Sequence, residues 1–174
     1  MRVFVGTIVP ENLRNEIEKI QNEIKKYVFG KFVEKENLHI CYSFLGEVDE
    51  NEIEKIKKKL EILSYENTFK VFSNSIKLIP SLSFVRVIAL EVKSNDGERI
   101  RKWIEENVGG DSKPLHITLC RVKSFQNKKS FIDYLKNKNF YFEFEVDEIS
   151  LIKSTLTYSG PIYEKIFNVK LTKI

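Results

Sequence analysis

Histidine and cysteine each occur only twice in these 174 residues, tryptophan and methionine once, and glycine seven times. Each scarcity closes a class of function. Two cysteines, Cys41 and Cys120, make no disulfide framework, and neither has C-x-x-C spacing. Zinc wants three or four ligands, and two histidines and two cysteines on separate segments fit no standard spacing. So few glycines leave little material for long flexible loops, and no Gly-x-x-x-x-Gly-Lys phosphate loop exists. No apolar run approaches the length of a membrane span. Met1-Arg2-Val3-Phe4-Val5-Gly6 begins a strand pattern at once, without signal-peptide architecture. Lysine and arginine (29) exceed aspartate and glutamate (25) by a net charge of +4, far short of a nucleic-acid-binding stripe. The expectation is a soluble, cytoplasmic, monomeric protein without metal or cofactor.

What is present suits a globular chain: 42% hydrophobic and 31% charged residues, with thirteen phenylalanines. The length allows one well-buried domain or two small lobes sharing a core. Val3 to Val9 reads as a strand closed by Pro10, and Leu13, Ile17, Ile20, Ile24 and Tyr27 recur at helical spacing. Leu38 to Leu45 alternates and ends at Gly46, and a second helix carries Ile53, Ile56, Leu60 and Leu63. Phe69 to Ile79 and Phe84 to Val92 read as two strands joined around Pro80-Ser81. A third helix from about Asp96 to Val108 is stopped by Gly109-Gly110. Leu115 to Val122 alternates again, and a short helix around Lys128 to Leu135 follows. Next come a long strand from Phe140 to Ile152 and a last one from Gly160-Pro161 to Leu171. Each half has a histidine strand followed by a helix, and no Pro/Gly/Ser linker divides them. The expectation is therefore α+β: two pseudo-symmetric lobes of antiparallel sheet with outer helices around a central cleft, in one domain spanning 1–174.

Both histidines sit in one context, Leu38-His39-Ile40-Cys41 and Leu115-His116-Ile117-Thr118. In a strand, residues i and i+2 share a face, so His39 goes with Cys41 and His116 with Thr118. A lone strand histidine is most often structural. Here both lie on the polar face of strands whose other face is strongly apolar. Two imidazoles without metal suit phosphodiester hydrolysis: an ordinary histidine titrates near pH 6.5, so one ring can accept a proton while the other donates one. Thr118 offers the phosphate oxygens a hydroxyl and Cys41 a weaker thiol.

With these motifs the chain resembles the 2H phosphoesterase superfamily, whose signature is two His-x-Thr/Ser-x motifs. Within it the likeness is to the RNA 2′,3′-cyclic phosphodiesterases, also called 2′-5′ RNA ligases. It covers nearly the whole chain. Arg2-Val3-Phe4-Val5 with Val9-Pro10-Glu11 resembles the opening strand, and Glu36-Asn37-Leu38-His39-Ile40 with Phe44-Leu45-Gly46-Glu47-Val48 the first motif. Pro114-Leu115-His116-Ile117-Thr118-Leu119 with Arg121-Val122 resembles the second, and Gly160-Pro161-Ile162-Tyr163 a segment near the end. The resemblance implies that His39 protonates the leaving ribose 3′ oxygen and His116 activates water, giving a 2′-phosphomonoester. The implied partners are RNA with 2′,3′-cyclic phosphate ends or small cyclic nucleotides.

One position departs from the pattern. Cys41 stands where the family has Thr or Ser, and a lost hydrogen bond to a charged group is worth roughly 1.5–3 kcal/mol. That implies a slower enzyme; the alternative is an RNA-end binding protein whose catalysis has decayed. Ser43, Arg121 and Tyr158 are further candidates for substrate contact, although Arg121 falls on the opposite strand parity to His116. Lys-x-Asp-Gly, the common adenylation motif of nucleotide-dependent ligases, is missing. Its nearest string, Lys93-Ser94-Asn95-Asp96-Gly97, is one residue too long. Any joining activity is then phosphoester cleavage run backwards, without ATP.

Overall fold

The computed structural model describes residues 1–173. In chain order it contains β1 (Arg2–Ile8), α1 (Glu11–Ile24), β2 (Val28–Phe32), β3 (His39–Glu47), α2 (Glu50–Leu60), β4 (Phe69–Ser73) and β5 (Ile76–Pro80). Then follow β6 (Val85–Glu91), α3 (Asn95–Asn107), β7 (His116–Phe125), α4 (Lys128–Asn137), β8 (Phe142–Val146), β9 (Glu148–Thr157) and β10 (Gly160–Lys170). The main sheet runs β10-β9-β1-β3-β7-β6-β5, with β2 also on β7, and its strand pairings are antiparallel. It consists of two halves, each carrying one histidine strand. They meet at a single register pair, Ile40↔Ile117.

Each helix packs its apolar face into the core it shares with the strands. α1 buries Ile17, Ile20 and Ile24, each worth about 1.5–3 kcal/mol of transfer free energy. The buried Gln21 side chain of α1 donates to the carbonyls of Val33 and Leu119, tying the helix to β7. α3 packs against β3 and β4. Asp49, Ser94 and Asn127 cap α2, α3 and α4, accepting from the backbone N–H three residues on.

Two strands expected as continuous are broken. Phe69 to Ile79 divides at Asn74-Ser75, and Phe140 to Ile152 divides at Asp147. The detached pieces, β4 and β8, pair with each other as a separate two-stranded sheet. Residues on both sides of each break pack into the core, so the apolar pattern hides the change of sheet. β2 was not anticipated at all. Its central residues, Phe29-Gly30-Lys31, are exposed, and a Cβ at Gly30 would clash with the Arg121 carbonyl, so only glycine permits that pairing.

Both histidine strands carry a β-bulge three residues after the histidine. β1 steps from Val5 to Gly6 while its partners in β3 step from Ser43 to Cys41, leaving Tyr42 extra. Similarly, β6 steps from Ile88 to Ala89 while β7 steps from Cys120 to Thr118, leaving Leu119 extra. The bulges make Tyr42-Ser43 and Leu119-Cys120 consecutive buried pairs and invert the alternation beyond them.

Candidate active site

The site lies where β3 and β7 touch. An antiparallel register centred on Ile40↔Ile117 sets His39 across from Thr118 and His116 across from Cys41, all four on one face. On the outer sides of the two strands, Cys41 faces Gly6 and Thr118 faces Ala89. The floor beneath the polar side chains is thus made of the two smallest residue types.

Each imidazole is anchored in the same way. His39 Nδ1 lies 2.7 Å from the carbonyl oxygen of Asn37, and His116 Nδ1 lies 2.8 Å from that of Pro114. A carbonyl only accepts, so both rings carry their proton on Nδ1 and leave Nε2 for a ligand. Asn37 is itself fixed, its side-chain amide donating to the Pro161 carbonyl.

Aromatic rings set the two histidines apart. His39 packs on Phe4 at 4.7 Å between centroids and meets the edge of Tyr163 at 5.3 Å. Burial pushes His39 down to about 4; the Asn37 hydrogen bond opposes this and the charge of His116 adds to it. Burial likewise pushes the Cys41 thiol up to about 12, with the Ser43 backbone opposing and Asp111 contributing. Cys41 is therefore a protonated thiol at neutral pH, unsuited to covalent attack. Tyr163 is raised by burial, while Arg121 and Arg2 pull in the other direction. Beside Tyr163 and Asn37 opens a pocket of about 430 Å³, lined also by Ile8, Pro161 and Lys165.

The remaining candidates from the sequence separate clearly. Ser43 is fully buried and donates to the Gly109 carbonyl, fastening the α3–β7 loop rather than facing the cleft. Tyr158 stands fully exposed at the tip of the β9–β10 hairpin and makes no hydrogen bond or ring contact with either histidine among the described residues. Arg121 is corrected in the opposite sense: the bulge at Leu119 brings it to the face of His116 and Thr118. Tyr163 and Asn37 carry no site signal of their own in the sequence, while Phe4 reads as an aromatic able to stack a base but more often core. The strand parity of Phe4 with Gly6 was the available signal for it, and Asn37 acts through its backbone, which leaves no mark in a sequence. The described residues contain no cluster of His, Cys, Asp or Glu able to hold a metal, and no helix long and apolar enough to cross a membrane.

Comparison with known proteins identifies the family and the fold. The family model of LigT-like phosphoesterases matches residues 8–88 and 98–163. A Methanocaldococcus jannaschii protein named RNA 2′,3′-cyclic phosphodiesterase is 41% identical over 95% of this chain and 98% of its own. An Aquifex aeolicus protein of the same name is 30% identical over 94% of this chain and 93% of its own. Among solved structures, Thermus thermophilus TT0787 superposes with a TM-score of 0.86 at 22% identity, covering 98% of both chains. LigT of E. coli complexed with 3′-AMP superposes with a TM-score of 0.78 at 18% identity, covering 98% of this chain and 97% of its own.

Proposed function

The chain belongs to the LigT-like phosphoesterase family, and we propose that it hydrolyses RNA 2′,3′-cyclic phosphodiester ends to 2′-phosphomonoesters by two-histidine acid–base catalysis. The observation that carries this is the twin anchoring of His39 and His116 through Nδ1, which leaves two Nε2 atoms for one ligand. Thr118 and Cys41 then hold phosphate oxygens, Arg121 balances the phosphate charge, and the pocket beside Tyr163 is of a size to take a nucleoside.

In the hydrolytic direction His116 Nε2 takes a proton from water as its oxygen bonds to phosphorus. His39 Nε2 gives a proton to the 3′ oxygen as the P–O3′ bond breaks. His39 must be charged for this, yet its enclosure between Phe4 and Tyr163 keeps the free ring neutral. The phosphodiester anion supplies the missing stabilisation, since an opposite charge within about 4–6 Å favours the protonated imidazole. Substrate binding therefore carries a proton in with it. Ligation, if it occurs, is the same path reversed and needs no ATP.

The test is release of a 2′-phosphomonoester from a 2′,3′-cyclic nucleotide in EDTA. His39→Ala and His116→Ala should each lower the rate by a factor of about 10²–10⁴ while the fold persists. Near wild-type hydrolysis by either variant would sink the mechanism. Tight binding of the 2′-phosphate product by a wild-type protein that turns nothing over would instead favour an RNA-end binder with decayed catalysis.

A further inference from the structure

The two histidines are anchored alike but backed differently. His116 Nδ1–H donates to the carbonyl of Pro114, and the N–H on the other side of that same peptide belongs to Leu115. That N–H donates to Glu98 Oε1 at 2.9 Å. The other carboxylate oxygen, Oε2, accepts from Arg101 Nε at 2.7 Å. Arg101 is 8% exposed and also donates to Ser112 Oγ at 2.8 Å, whose hydroxyl donates to the Tyr42 carbonyl on β3. Behind His39 the matching peptide is backed only by a neutral group: Leu38 N–H meets the Lys35 carbonyl at 3.4 Å.

From this we infer that Glu98 is a positioning residue for His116, acting through the Pro114–Leu115 peptide as the carboxylate behind a general base. A carboxylate pulling on the N–H draws electron density toward the carbonyl oxygen at the other end of the peptide. Chained hydrogen bonds strengthen one another by about 10–30% each. A stronger carbonyl acceptor fixes the Nδ1–H tautomer and stabilises the imidazolium formed when Nε2 takes its proton. This is what a carboxylate bound directly to an imidazole does. The chain is built to allow it. Gly97 brings α3 against the strand entrance, since a Cβ there would lie 2.8 Å from the Leu115 side chain.

Other charges face His116 as well. Glu91 is its register partner on β6, but is held by Ser75 at 3.3 Å and Lys93 at 3.6 Å. β3 contributes His39 and Cys41, Arg121 follows on β7, and the Asp111–Lys113 pair precedes on the loop. Among these only Glu98 reaches the ring through the atom that sets its tautomer.

The inference deepens the acid–base reading, and its test is chosen to stand apart from turnover. With only two histidines, ¹⁵N NMR of the rings reads each tautomer separately. Glu98→Gln keeps the side-chain shape and removes the charge. It should lower the Nδ1–H population of His116, leave the His39 signals unchanged, and cut kcat about tenfold with KM within twofold. The acid limb of the kcat profile should move to lower pH, because a less stabilised imidazolium loses its proton sooner. Unchanged ring signals, or equal changes in both rings, would overturn the assignment whatever the activity. Should Glu98→Gln not fold, Arg101→Lys loosens the carboxylate and must give a smaller change of the same kind. A wild-type protein that hydrolyses nothing would remove the enzymatic reading, while the NMR measurement would still decide this one.

Discussion

At the scale of single residues, Cys41 and Thr118 occupy matching places and differ in one atom that matters to a phosphate. Burial keeps the Cys41 thiol protonated, so it is a weak donor where Thr118 is a good one. Cys41→Thr should therefore raise kcat/KM about tenfold, within the worth of one charge-assisted hydrogen bond. Thr118→Ala should lower it by a similar factor or more. A fall on the first change with full retention on the second would show that neither side chain holds phosphate. His39 makes a separate prediction for stability. Its folded value of about 4 lies below the ordinary 6.5, so the unfolded chain binds the proton more readily. Stability is complete above about pH 6.5 and declines as pH falls toward 4, by an amount on the order of 2–3 kcal/mol. Urea midpoints at pH 7 and pH 4.5 measure this, and His39→Gln should flatten the difference. An equal pH dependence in that variant would assign the loss to other groups.

At the scale of elements, the two histidine strands were legible because alternation holds from Leu38 to Tyr42 and from Leu115 to Leu119. Beyond those points it fails. The bulges move Ser43 into the interior and Arg121 out of it, and an inserted residue has no composition that betrays it. The same blindness hid the breaks at Asn74-Ser75 and Asp147, where a strand leaves one sheet for another while its residues remain packed on both sides. Backbone partners were equally invisible: Asn37 and Pro114 act through carbonyls that any residue would supply. Gly6 shows what the close fit of β1 on β3 requires. A Cβ there would lie 2.7 Å from the Ile40 carbonyl and 3.0 Å from the Phe4 ring. Gly6→Ala should cost about 1–3 kcal/mol of overpacking, or a fall in Tm of roughly 2–10 °C, and lower activity by parting His39 from its cross-strand neighbours. An unchanged Tm would mean that the strands yield without strain.

At the scale of the whole molecule, a net charge of +4 conceals an uneven distribution. Strand parity sets Arg2 on the cleft face with Phe4, its guanidinium 4.8 Å above the Phe44 ring. Arg121 pairs in register with Lys31 on β2, whose amine approaches Gly160 at the β9–β10 turn. Arg2, Lys31 and Arg121 take part in no ion pair among the described residues. Free cations along a cleft attract a polyanion, and each phosphate they neutralise adds about −0.7 to the log–log salt slope for a single strand. Arg2 lies four residues along β1 from Gly6, about 13 Å at 3.3 Å per residue. With its guanidinium held over Phe44, Arg2 is set for the next phosphate of a chain rather than the one between the histidines. Arg2→Gln should therefore weaken binding of an oligonucleotide bearing a 2′-phosphate, and reduce its salt slope by about 0.7. It should leave adenosine 2′-monophosphate within about twofold. Arg121→Gln, beside the reacting phosphate, should weaken both ligands. Equal losses for the two ligands on Arg2→Gln would place its guanidinium at the central phosphate instead, and no loss for either would leave it a surface charge stacked on Phe44.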